Sequence, residues 1–136
     1  MTNTATTCGS VLASPHSKEV SVIVRLFTGH DGESHFEEIS LDYNPHLPLS
    51  ERTVPEAAES ILFARHQPGY SMDWHPAPRR QYVVFLGGQN EITVGDGTSL
   101  VFRAGDVLLA EDTRSKHHVR VIGDEPRLSL TVPLVD

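Results

Sequence analysis

The sequence predicts an all-β fold, a barrel or jelly roll of about eight to ten short strands. Three observations carry that expectation. Runs of alternating, β-branched residues recur along the chain, and Gly, Pro or Asp closes nearly every run. Helical periodicity longer than one turn is missing. At 136 residues the chain can bury one hydrophobic core, so a single domain is expected.

Residues 1–19 are rich in Thr, Ser and Ala without periodicity and read as a flexible N-terminal lead-in, leaving residues 20–136 as the domain. "VSVIVRLFTG" alternates and is heavily β-branched, as a strand requires. "HDGES" turns the chain into a second alternating run, "HFEEISLDY". "NPHLPLSERTVPEAAES" holds three prolines, which disrupt helix and ladder alike, so a surface connection is expected. Within it, "VPEAAES" suits one helical turn with Pro55 at the first position. "ILFARHQPG", "QYVVFLGG", "NEITVGDG", "SLVFRAGD", "VLLAED", "HHVRVIGDE" and "RLSLTVPLV" each read as strands. Asp96-Gly97, between "EITV" and "SLVF", is a strong hairpin signal.

The formal net charge is -7, and no Lys/Arg cluster is longer than Arg79-Arg80. A phosphate backbone calls for a basic face, so no nucleic-acid partner is expected. Cys8 is the single cysteine, which leaves no internal disulfide and fits a reducing compartment. The N-terminus lacks the basic start and apolar run of a signal peptide. No apolar stretch nears the roughly 20 residues of a membrane helix, so no membrane partner is expected. A cytoplasmic protein follows as the expectation.

Residues 68–118 carry the informative spacing. Gly69 is followed by His75, with Ala77, Gln81 and Gly88 at wider intervals, and "AGDVLLAED" later repeats a Gly-Asp turn before a strand. This punctuation resembles the cupin superfamily, small jelly-roll barrels that hold a metal or ligand in their mouths. In its first motif a glycine precedes a His-x-His pair, a glutamate and a closing glycine. Here the spacing is intact, with Ala77 at the second histidine and Gln81 at the glutamate. In the second motif Glu111 replaces the usual proline and Thr113 the glycine, and strict spacing lands on Lys116. A shift of one or two residues brings His117 or His118 to the ligand position. His118 is preferred, because similar small cupins carry a "WHPAPRRQ" stretch and end this loop in one histidine at the matching place. The resemblance therefore implies a small single-domain, RmlC-like cupin with a degenerate metal motif.

A first-row metal site needs three or four ligands converging at about 2 Å. The resemblance implies His75, Gln81 and His118 as that set, holding a divalent transition metal (Fe, Zn, Mn or Ni), with a metal-free site as the alternative. An amide brings no negative charge, so such a site binds a cation more weakly and leaves it a stronger Lewis acid. Ala77 is the more damaging change, since no nearby residue replaces the lost histidine. Taken singly, His75 also reads as a hydrogen-bonded rim histidine and Gln81 as a buried amide. Arg79 and Gln81 share a strand face, which parity makes the His75 face. Arg79 would there anchor a carboxylate or phosphate, while Arg80 and Tyr82 face out. Trp74 and Phe85 suit an apolar pocket or the core. His35, beside Glu37 and Glu38, suits the barrel mouth, a subunit interface or a plain surface turn. Glu111 and Asp112 beside Lys116 suit local charge pairing, or acid–base work if their loop covers the mouth.

Three functions compete. The leading one is a metal-dependent isomerase, lyase, cyclase or oxygenase acting on an oxygen-rich or enolisable small molecule, with Arg79 and His35 binding it. The second is a metal-free enzyme in which His75 or His118 is general base near Arg79 and Tyr82. The third is a non-catalytic ligand-binding module. For each, the resemblance implies a homodimer.

Overall fold

The computed structural model describes residues 17–19 and 23–136, with side chains from Ile23 onward. Of the expected lead-in, residues 1–16 lie outside the described residues, whereas Ser17–Glu19 forms a strand. The described chain contains thirteen strands: β1 (Ser17–Glu19), β2 (Ile23–Thr28), β3 (Ser34–Ile39), β4 (Asn44–Leu47), β5 (Ser50–Arg52) and β6 (Leu62–His66), then β7 to β13. These are β7 (Ser71–His75), β8 (Gln81–Gly87), β9 (Gln89–Val94), β10 (Ser99–Arg103), β11 (Val107–Glu111), β12 (His117–Ile122) and β13 (Arg127–Pro133). No helix among the described residues is long and apolar enough to cross a membrane.

Two sheets form the body, in the orders β1-β10-β9-β12-β7 and β3-β2-β11-β8-β13-β6. Alternation decides which side chains lie between them. Along β9 the buried residues are Asn90, Ile92 and Val94; along β12 they are His117, Val119 and Val121. The facing sheet contributes Leu26, Val83, Phe85, Leu108 and Ala110 to the same core. Phe85 and Phe102 meet across it with ring centroids 5.0 Å apart. Such a pair adds about 0.5–1.5 kcal/mol beyond the area it buries. The expected all-β jelly roll is thus present, with more strands than the sequence suggested.

The Asp96-Gly97 hairpin forms as its sequence requires: Thr98 N donates to Asp96 Oδ1 at 2.8 Å, and Gly97 takes φ 93°. The proline-rich connection behaves differently. Its first half folds into the β4–β5 hairpin, a two-stranded sheet standing apart from the other two. Pro45 fits there because a two-stranded ribbon leaves one side of each strand unpaired. "VPEAAES" does not make a helical turn. It runs extended along the chain end, where Ala58 bridges Leu134 and Glu59 N donates to Pro133 O at 2.8 Å. Tertiary pairing outweighs a weak local preference there.

Residues 68–88, where the sequence marked only "QYVVFLGG" as a strand, contain two. β7 belongs to the five-stranded sheet and β8 to the six-stranded one. The chain changes sheets at residues 76–80, and this corner positions the site.

Candidate functional site

His75 ends β7 and pairs directly with His117 at the start of β12, their ring centroids 4.4 Å apart. The two rings are oriented by different partners. His75 Nδ1 lies 2.7 Å from the Asp73 carbonyl, and His117 Nδ1 lies 2.6 Å from Asp112 Oδ2. A carbonyl or carboxylate oxygen only accepts, so each Nδ1 carries a proton and each neutral ring keeps its Nε2 lone pair. Burial holds His75 below the ordinary histidine value, and the hydrogen bond to Asp73 only partly offsets it.

Asp112 is wholly buried and also accepts from Ser34 Oγ at 2.7 Å. With that proton committed, the Ser115 hydroxyl donates to Ser34 at 2.6 Å, and Thr28 donates to Ser115 at 2.7 Å. A directed row of hydroxyls therefore feeds one carboxylate oxygen, which in turn fixes His117. The other oxygen of Asp112, Oδ1, is buried without a hydrogen-bond partner, so the bonds to Oδ2 carry the compensation for burying this carboxylate.

Behind these rings a cavity of about 140 Å³ lies between the sheets. His75, His117, Ala77 and Gln81 line one part of it, and Arg127 and Asn90 line another. Val83, Phe85, Ile92 and Leu108 make much of the wall. The volume is small beside the roughly 300–1,000 Å³ of sites for drug-sized ligands, so it suits a molecule of few carbons. A wider groove of about 560 Å³ follows the β4–β5 hairpin, but it gathers Tyr43, Pro45, Leu47 and Leu49 around a single carboxylate, Glu51. Its residues do not converge as a site would.

The sequence-derived candidates divide sharply. His75, Gln81 and Phe85 line the cavity. His118 does not: successive strand residues alternate faces, and His117 takes the buried side. His118 instead packs on Trp74, centroids 5.7 Å apart, and Trp74 is 44% exposed. Arg79 also lies outside the cavity, paired with Glu59 on the exposed surface. Pro76 and Pro78 upset the parity that had placed it inward. Arg80 and Tyr82 face out as expected, both bonded to Glu56. Tyr82 is thereby removed from the histidines. His35, near the start of β3, pairs with Asp31 of the preceding turn at 2.9 Å and lies outside the cavity lining. Glu111 faces away from the cavity, bridging Arg25 at 2.5 Å and Arg80. Burial raises its carboxyl, but those hydrogen bonds prevail and hold it below the ordinary value.

The metal expectation meets a thin donor set. With His117 in place of His118, the corner offers two imidazoles and the Gln81 amide, while the third cavity histidine, His66, pairs across the ladder with Arg127 instead. Among the described residues no group of three His, Cys, Asp or Glu is placed to hold a metal ion. Asp112 already spends one oxygen on His117 and Ser34. Two neutral imidazoles and an amide fall short of the three strong donors of a catalytic site. The residues present do not fit a tightly held divalent cation.

Arg127 and Asn90 are cavity residues that the sequence reading did not name; His117 was named but passed over for His118, and Asp112 was read as local charge pairing or loop acid–base chemistry. A signal for His117 was present: it shares a face with Val119 and Val121, while His118 shares one with Arg120. Asn90 likewise alternates with Ile92 and Val94. Arg127 had no such mark.

No family model matches the sequence, and no curated protein matches it. Solved structures similar to this chain include a conserved protein of unknown function from Streptococcus pyogenes, 19% identical, with 62% of this chain and 71% of that chain covered at a TM-score of 0.46. An RmlC-like cupin protein from Desulfovibrio desulfuricans is 20% identical, with 57% and 77% covered at a TM-score of 0.43. The cupin domain of Schizosaccharomyces pombe Cnp3 is 15% identical, with 82% and 86% covered at a TM-score of 0.46.

Proposed function

We propose that this chain is a cupin-type small-molecule enzyme that moves a proton on an enolisable carbonyl compound held in the cavity, without needing a metal. The observation that carries the reading is the His75–His117 pair, with each Nδ1 anchored and each Nε2 available beside an apolar pocket. His117 Nε2 removes the proton next to the carbonyl, and the C–H electron pair moves onto the carbonyl oxygen as an enolate. The Gln81 amide N–H is suited to donate to that oxygen as charge develops. Asp112 offsets the positive charge that His117 gains, and His75, kept neutral by its burial, is free to act as a second base. Returning the proton to the same carbon gives exchange; where that carbon bears a hydroxyl, passing the hydroxyl proton to the first oxygen and protonating the former carbonyl carbon gives isomerisation.

Exposed apolar residues support a second copy of the chain as partner. Phe63 on edge strand β6 is 72% exposed, with Ile61 and Leu62 beside it.

The test is deuterium exchange from solvent into small ketones and oxo acids, followed by NMR. Chelator-treated wild type should catalyse it, and His117→Asn should not. Exchange that disappears on chelation and returns with one added metal would overturn the metal-free reading. Ligand binding without any exchange would leave a binding module in place of an enzyme.

A further inference from the structure

The cavity contains one permanent charge that the proton-transfer reading does not use. Arg127 begins β13 and lines the cavity with Asn90, to whose Oδ1 its Nη1 donates at 3.2 Å. Its guanidinium carbon lies 5.9 Å from the centroid of the Phe85 ring. Its side chain meets an amide oxygen and an aromatic face, and none of the ion pairs among the described residues involves it. Burial pulls the guanidinium below its ordinary value, yet an arginine stays protonated in a protein. A half-buried cation whose Nε is shut off from solvent and faces no counter-charge is unfavourable unless something else completes it.

Two donors remain open at this point. Arg127 Nε and Asn90 Nδ2 are both buried and lack a hydrogen-bond partner, and Asn90 is wholly inaccessible. His66, stacked on Tyr70 with centroids 4.1 Å apart, lines the same part of the cavity. Burial first, and the Arg127 charge second, hold His66 below the ordinary histidine value, so it adds no carboxylate-like partner and no second cation at neutral pH.

The backbone is built to hold Arg127 there. Gly88 takes φ 72°, and a Cβ on it would fall 2.3 Å from Pro126 O and 2.8 Å from Arg127 Cα. Only glycine allows the β8–β9 corner to approach the start of β13 so closely. On the β9–β12 ladder Asn90 faces Val121 and Val94 faces His117. The donor pair therefore sits about 13 Å along the strand from the histidine backbone, within one cavity.

We infer that Arg127 Nε and Asn90 Nδ2 receive the carboxylate of a small organic acid, whose carbon chain lies along Phe85 and Ile92 toward the histidines. Two N–H donors on side chains that are themselves hydrogen-bonded can serve the two oxygens of a carboxylate, and a guanidinium favours that ligand. The apolar wall and the small volume favour a short chain over a phosphate ester or a sugar. This assignment names the substrate class for the proton-transfer reading and rests on that reading for the direction of the chain.

Calorimetric titration of the full chain with straight-chain oxo acids whose carbonyl stands at the far end of the chain from the carboxylate, their methyl esters and inorganic phosphate, all at equal ionic strength, tests it. The acids should bind and the esters and phosphate should not. Arg127→Met should weaken acid binding roughly ten- to hundredfold, while Arg79→Met leaves it unchanged. Esters or phosphate binding as tightly as the acids would overturn the assignment, as would full affinity in folded Arg127→Met. If that variant does not fold, the acid–ester comparison on wild type decides. Acid binding through Arg127 without deuterium exchange sinks the catalytic reading and keeps this one. Exchange on neutral ketones with no acid binding does the reverse.

Discussion

Asp112 Oδ2 accepts the Nδ1 proton of His117 at 2.6 Å, and both side chains are buried. Because Ser34 donates to the same oxygen, the carboxylate is set from two sides and the imidazole has one favoured tautomer. The reactive nitrogen is thereby chosen by residues distant in sequence: Ser34 and Asp112 are on different strands of the six-stranded sheet or its edge loop, and His117 is on the other sheet.

Replacing Asp112 with Asn should separate orientation from folding. An amide can turn an N–H toward His117 and oppose the tautomer that leaves Nε2 free. Proton exchange should fall by roughly 10²–10⁴-fold, with near-wild-type circular dichroism. Asp112→Ala should also cost stability, about 1–3 kcal/mol, because Ser34 and His117 lose a buried acceptor. Urea unfolding reads the second effect. Full exchange activity in Asp112→Asn would show that the pair has no chemical role.

The histidines should make stability depend on pH near neutrality. His75 and His66 both lie below the ordinary value in the folded chain, chiefly through burial. The unfolded chain therefore takes up their protons first as pH falls. Their contribution is complete above about pH 6.5, the unfolded value, and is lost as pH drops toward the folded values. The urea midpoint should decline across that window, and His75→Gln with His66→Gln should flatten the decline. An NMR titration of His75 should place its midpoint below that of a free histidine. Glu111 acts in a lower window, since its contribution is lost only below about pH 4.5.

Gly88→Ala should be among the more damaging single-methyl additions in this chain. The methyl group meets backbone, which cannot swing aside, and the residue keeps a positive φ. A loss of about 2–4 kcal/mol is expected, read as a lower urea midpoint. Gly97→Ala provides the contrast, because its positive φ faces open space and only the conformational penalty remains. Equal losses at the two positions would mean that the close approach to Arg127 is not held in solution.

Strand identities were widely legible because a half-buried strand must alternate, and runs such as "NEITV" and "HHVRV" do so. The Asp96-Gly97 hairpin was legible for a similar local reason: its turn needs a positive φ that glycine adopts freely. Parity across "WHPAPRRQ" misled, since two prolines turn the chain from one sheet to the other, and strand alternation does not survive a corner. His75 and Gln81 kept their places because they stand on either side of that corner.

Local pattern alone thus determined an all-β chain, most of its strand positions and one histidine of the site. Tertiary structure decided that His117 faces inward, that Asp112 orients it, and that Arg127 replaces Arg79 as the cation in the cavity. The physical reason is that alternation reports which face of a strand is buried. The identity of the group waiting on the opposite sheet depends on pairings between residues up to 87 positions apart, such as Thr28 with Ser115, and no local period records them.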